Sequence, residues 1–244
     1  SKHLQLAICY SVTDGGSMGG PIYTLDYFIN KAKSLESMGA DSICIKDMAG
    51  LLSPFDAYNL FSELKKHIKV PLQLHTHYTS GMASMSALKA IEAGVDAVDA
   101  CLSPLALRTS QPAIEPLVMS LKNHFRDSGL QLELIHQASD QLESILKKYR
   151  QDLEMPRASI IDAKVLSHQI PGGMISNLIS QLKELGALDK LENVLADIPS
   201  TRKDLGYPPL VTPISQMVGS QSVSNILNGK YKMISSQIQN YLKG

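Results

Sequence analysis

The chain has 244 residues, 44% of them hydrophobic and 19% charged, with Lys+Arg and Asp+Glu balanced at 23 each. That balance suits a folded protein able to bury a core; it excludes a basic field for nucleic acid and a disordered acidic tail. Apolar runs such as residues 4–10 and 70–74 are far too short to cross a bilayer, and a cytoplasmic chain without a signal peptide is expected.

Residues 4–10 (LQLAICY) predict a strand, followed by a glycine-rich loop at 14–21 and a helix over 25–38. Thr24 stands where an N-cap belongs, and Gly39 where a terminating glycine belongs. The same unit recurs as strand 42–46 with helix 54–67, then strand 70–75 with helix 80–93. Strand 95–101 with helix 112–126 completes the series. Strand starts near 4, 42, 70 and 95 give intervals of 38, 28 and 25 residues, the spacing of parallel βαβ units. Beyond residue 126 the alternation stops, and helical periodicity runs through 134–149, 174–185, 188–205, 213–228 and 230–242. Four units cannot close an eight-stranded barrel. The chain is either a small open sheet or the second half of a barrel. Ser1 is not a methionine and Gly244 directly follows a helical pattern, so a piece of a longer protein is expected. Cys9, Cys44 and Cys101 are widely spaced in apolar runs and are expected to be reduced thiols.

Chemistry concentrates after the predicted strands. In His75-Thr76-His77 the two imidazoles share one face of an extended chain and can converge on a zinc, manganese or cobalt ion. Two satisfied loop histidines would look the same. Lys46 follows the second strand. A lysine in a barrel mouth suits a Schiff base, a general base or carbamylation, or simple pairing with Asp47 or Asp99. Residues 14–20 (DGGSMGG) lack both the GxGxxG order and a GK[ST] ending, so they read as a mobile loop. Thr109–Pro112 reads as a helix entry with a first-turn proline, and Thr212-Pro213 as an N-cap threonine followed by a first-turn proline.

Five segments, GADSICIKDMAGLLSP, PLQLHTHYTSGMA, AGVDAVDACLSPLALRTSQP, HQIPGGMISNLISQL and LGYPPLVTPISQMVGSQSVSNIL, occur in that order. Together they closely resemble the carboxyltransferase domain of biotin-dependent enzymes, over nearly the whole chain. That family includes pyruvate carboxylase, the alpha subunit of oxaloacetate decarboxylase and the keto-acid subunit of transcarboxylase. The resemblance implies an (α/β)₈ TIM barrel capped by a helical funnel. Residues 1–126 would be strands five to eight of the barrel, and residues 127–244 the funnel. It also implies carboxyl transfer between a keto acid and biotin carried on a separate domain. Lys46, as a carbamate, would join His75 and His77 in holding a divalent metal, and Thr212 would shuttle a proton at the biotin site.

The implied partners are a keto-acid substrate, a biotinyl carrier domain, a second copy in a homodimer and, in decarboxylase complexes, membrane-bound pump subunits. TPISQMVGSQSV points to the oxaloacetate decarboxylase branch ahead of pyruvate carboxylase or transcarboxylase. The family's aspartate ligand and carboxylate-clamping arginine belong to early strands outside this sequence. The isolated chain is therefore expected to be inactive, and to associate through its open edges. An aldol-type metallolyase, which also uses HxH at a barrel mouth, and a non-catalytic fragment are the competing expectations.

Overall fold

The computed structural model describes residues 2–13, 17–149, 161–168, 170 and 172–244. Part of the glycine-rich loop (14–16) lies outside them, as do residues 169 and 171 of the HQIPGG segment. Four strands form one sheet in the order β1 (Gln5–Cys9), β2 (Ser42–Asp47), β3 (Leu72–Thr76), β4 (Ala97–Val98), and every pairing is parallel. Helices α1 (Leu25–Ser37), α2 (Pro54–His67) and α3 (Ala83–Glu92) form the crossovers.

Local chemistry sets these elements. Thr24 caps α1 by accepting from the Tyr27 amide at 3.1 Å, and Ser53 caps α2 by accepting from Asp56 N at 3.1 Å, with Pro54 ready-shaped for the first turn. One face of the sheet carries Ile8, Ile43, Ile45, Leu72 and Leu74, all at most 3% exposed, packed with Phe28, Ala32, Leu60, Phe61 and Leu64. Burying a side chain of this size contributes roughly 1.5–3 kcal/mol. The opposite face carries Gln5, Cys9, Lys46, Gln73 and His75, which are half-buried or exposed. The core thus lies under one face, and polar chemistry is left to the other.

Three expected elements are markedly shorter than the sequence suggests, one being the helix expected over 230–242, which spans Ser236–Lys243. The strand at 95–101 pairs only over Ala97–Val98, with an isolated parallel bridge from Cys101 to Ala113. No further strand flanks it among the described residues, and Asp99 is drawn toward β3. The helix expected over 112–126 is α4 (Ile114–Leu121). Pro112 is not in its first turn, because residues 111–112 run alongside Cys101: Cys101 N donates to Pro112 O and Ile114 N to Cys101 O, both at 2.9 Å. Leu107 and Arg108 adopt positive φ (68° and 56°), turning the loop back on itself.

Beyond residue 126 the described elements are helical: α5 (Leu132–Leu146), α6 (Val165–His168), α7 (Gly172–Glu184), α8 (Leu191–Asp204), α9 (Ile214–Asn228) and α10 (Ser236–Lys243). A second cluster of buried residues, among them Met174, Leu182, Val194, Ile198 and Val218, holds α7, α8 and α9 together. These helices meet the sheet at the strands' C-terminal ends. Asp162 N donates to Thr79 O (2.9 Å) after β3, and Leu210 N donates to Ser11 Oγ (3.0 Å) after β1. The three cysteines are free thiols; Cys44 is buried, and burial pushes its pKa up to about 11. No described helix is long and apolar enough to cross a membrane.

Candidate active site

Parallel register places Cys9, Lys46 and His75 side by side across β1, β2 and β3, on the face away from the helices. His77 follows two residues later, its backbone N donating to Asp47 O at 3.0 Å. The loop after β2 presses against this point. Gly50 has φ +69°, and a Cβ there would meet His77 O at 2.7 Å, so only glycine allows that approach without displacement.

The two imidazoles converge, with Nε2 of His75 3.3 Å from Nε2 of His77. Their other nitrogens fix the tautomers. His75 Nδ1 lies 2.7 Å from Asp99 Oδ2, and His77 Nδ1 lies 2.6 Å from Thr109 O. A carboxylate and a carbonyl can only accept, so each Nδ1 must carry the proton. With both rings neutral, the two Nε2 atoms face each other as lone pairs, an unfavourable contact that a shared cation would relieve. His77 is held neutral: burial lowers its pKa and outweighs the Thr109 bond, which raises it, and the nearby His75 and Lys46 lower it further.

Lys46 is half-buried, and its side-chain amine has no hydrogen-bond or ion-pair partner among the described residues. Both acids expected to pair with it are committed elsewhere. Asp47 is fully buried on the other face and accepts from Leu51 N, Leu52 N and Thr76 Oγ1, each at 2.9 Å. Asp99 accepts from His75 and, through Oδ1, from Gln73 Nε2 at 2.7 Å. Among the described residues no three His, Cys, Asp or Glu side chains gather as a metal site. This chain's donors are therefore an imidazole pair and a neighbouring amine. A divalent ion fits that set as a partial shell, nitrogen donors being suited to zinc, manganese or cobalt.

Thr212 is not an N-cap. Pro213 occupies the capping position of α9 with helical φ and ψ (−87° and −8°), and the amide of Ser215 is already satisfied by Val211 O at 2.9 Å. Thr212 is exposed, with its hydroxyl outside the helix's own hydrogen bonding. Its segment is tied to the strand ends through Leu210 and Ser11. One turn along, the Ser215 hydroxyl is buried without a hydrogen-bond partner. Sequence reasoning missed Thr109, whose contribution is a backbone carbonyl that no residue type signals, and named Asp99 only as an alternative partner for Lys46, not for His75.

Comparison with known proteins gives this geometry its context. A family model described as a conserved carboxylase domain matches residues 165–244, and one described as HMGL-like matches residues 22–142. The chain is 52% identical over 242 residues to a pyruvate carboxylase component of Methanocaldococcus jannaschii, covering 99% of this chain and 41% of that protein. It is 38% identical to the methylmalonyl-CoA carboxyltransferase 5S subunit of Propionibacterium freudenreichii, over all of this chain and 46% of that one. Among solved structures, the carboxyl transferase domain of Rhizobium etli pyruvate carboxylase with pyruvate superposes with a TM-score of 0.88 at 33% identity, covering 100% of this chain and 42% of that one. The chain thus spans about two fifths of the length of such relatives. It belongs to the pyruvate carboxylase and transcarboxylase family, as part of the carboxyltransferase domain.

Proposed function

We propose that this chain carries the keto-acid end of a biotin-dependent carboxyl transfer involving pyruvate and oxaloacetate. The observation that supports it most is the pair of Nε2 atoms 3.3 Å apart beside Lys46, in a chain of this family. Residues 1–126 are read as strands five to eight of a TIM barrel, and residues 127–244 as the helical funnel over its mouth. The HMGL-like match alone would suit an aldol-type metallolyase equally; the conserved carboxylase match over 165–244 favours carboxyl transfer.

His75 and His77 would hold a divalent ion through Nε2. Lys46 would add an oxygen donor as its carbamate: the ammonium first gives up one proton to solvent, the free amine nitrogen bonds to the carbon of carbon dioxide, and a second proton leaves as the carboxylate-like group forms. When bound, the ion supplies Lewis-acid polarisation of the keto oxygen. The chain's own residues do the remaining work. Asp99 and Thr109 keep the Nε2 lone pairs aimed at one point. Thr212, through Oγ1, moves a proton between biotin N1 and the methyl carbon of the keto acid, a general acid–base role. The biotin rides on a separate domain.

The relatives named above are a carboxylase and a carboxyltransferase, so oxaloacetate decarboxylation gains no specific support. The same groups serve either direction, because each proton transfer retraces its path. Exchange of label between pyruvate and oxaloacetate, dependent on added biotin, tests the transfer itself in the full-length protein. The expected result is exchange in the wild type and its loss in His75→Ala and His77→Ala. Exchange that persists without either histidine overturns this reading. Net flux measured afterwards assigns the direction.

A further inference from the structure

We propose that Asp99 is the positioning residue for the histidine pair: its carboxylate locks His75 as the Nδ1–H tautomer and so keeps the Nε2 lone pair presented for metal. The inference rests on the metal reading above and adds a residue to it. The first observation is contact. Asp99 Oδ2 accepts from His75 Nδ1 at 2.7 Å, a charge-assisted bond at the short end of the usual range.

The second observation is that Asp99 is itself held. Its other oxygen, Oδ1, accepts from Gln73 Nε2 at 2.7 Å, and its backbone N donates to Leu74 O at 2.9 Å, so both ends of the residue are pinned to β3. Gln73 cannot turn its amide round. Its Oε1 accepts from Gln5 Nε2 at 2.9 Å, which leaves Nε2 facing Asp99. Gln5 also donates to Ser42 Oγ at 3.1 Å. An ordered line of donors and acceptors therefore crosses the polar face from β1 to β3 and ends on the imidazole.

The third observation comes from the local repeat VDAVDA. Asp96 and Asp99 are three apart, so an extended chain sends them to opposite sides. Asp96 does a purely structural job, accepting from Lys65 Nζ at 2.9 Å and from Leu72 N at 2.8 Å. Asp99 faces the site. Two like residues in one motif thus serve as the test and its control.

Carboxylates that hold the far nitrogen of a ligating histidine typically change metal affinity by about 10–100-fold when removed. The experiment uses full-length protein stripped of metal and titrated with zinc against a chromophoric chelator. Relative to wild type, Asp99→Ala should bind zinc about 10–100-fold more weakly. Asp99→Asn should lose less, because its amide oxygen still accepts from Nδ1 without the charge. Asp96→Asn should bind as wild type does. In the metal-free proteins, ¹⁵N correlation spectra of the His75 ring should show the Nδ1–H tautomer in wild type and a mixture in Asp99→Ala, with melting temperatures unchanged. Equal zinc affinity in wild type and Asp99→Ala overturns the positioning role and leaves the metal reading intact. A wild type that takes up no zinc overturns the metal reading, and this inference with it.

Discussion

Arg202, in α8, donates from Nη1 to the carbonyl of Val12, three residues past the end of β1, at 2.6 Å. The guanidinium is fully buried and sits 5.7 Å from each of the rings of Tyr23 and Tyr207, while Nε donates to Pro208 O at 2.9 Å. One side chain thus fastens the strand-end loop to the segment that leads to Thr212. A planar fork with several donors can do this; a lysine cannot reach both carbonyls at once.

Arg202→Met should leave two buried carbonyls without their donor and cost about 2–6 kcal/mol, at about 1–3 kcal/mol for each unsatisfied buried acceptor. Arg202→Lys should recover at most one bond. Urea unfolding midpoints of the full-length variants measure this; a midpoint matching wild type in Arg202→Met would mean water replaces the guanidinium freely.

Asp47 is the second internal anchor. Its carboxylate takes three donors from the β2–α2 loop and β3. Asp47→Asn turns one acceptor oxygen into an NH₂ group facing a donor, so it should destabilise by about 1–3 kcal/mol. Because Gly50 in that loop abuts His77, metal affinity should fall alongside stability. Calorimetry and zinc titration on one preparation separate the two effects, and wild-type values in both would show that the loop holds without the carboxylate.

Acid should loosen the fold through other carboxylates. Burial pushes Asp96 up, but the Leu72 amide and Lys65 outweigh it and hold the carboxyl below its usual value of 3.8. Glu115 is likewise held below 4.5: burial raises it, while bonds from Ser103 and Ser139 lower it by more. A depressed folded pKa gives stability that is present above the unfolded value and lost as pH falls through the folded one. Stability should therefore drop below about pH 4.5. Asp96→Asn with Glu115→Gln should flatten that limb, which urea midpoints at successive pH values will reveal; an unaltered limb would assign the acid sensitivity to other groups.

Much of the sheet and its crossovers was legible because their signals are local. Ser53-Pro54 starts α2 at the residue the sequence indicates, and apolar runs give β1 to β3 to within two residues at either end. The HxH alternation correctly placed both imidazoles on one side. The failures come from backbone hydrogen bonds, local at Thr212 and tertiary at 107–112, that the side-chain pattern does not encode. Thr212 carries the N-cap signature, yet Val211 O already satisfies the Ser215 amide. The turn at 107–112 is shaped by pairing with Cys101 and by Tyr78 N donating to Ser110 O at 2.7 Å. The sequence reading offers Asp99 only as an alternative partner for Lys46. Only the register of β3 against β4 decides for the histidine.

Thr212 gives the sharpest separation between local structure and chemistry. A helix cap removed by Thr→Ala typically costs about 1 kcal/mol. Here the hydroxyl caps nothing, so Thr212→Ala should leave the melting temperature of the full-length protein unchanged. As a proton carrier at the biotin site its loss should lower turnover by about 10²–10⁴-fold, the range for general acid–base groups. Thr212→Ser keeps a hydroxyl in place and should retain part of the activity. Zinc affinity should be the same in all three proteins, because the ring nitrogens of the histidine pair bond to Asp99 and to Thr109 O and face each other, with no bond to Thr212. The decisive measurement is biotin-dependent exchange between pyruvate and oxaloacetate, run beside thermal melts and zinc titrations. Near-normal exchange in Thr212→Ala would remove Thr212 from the chemistry, while lost exchange with an unchanged melt and unchanged zinc affinity would keep it there.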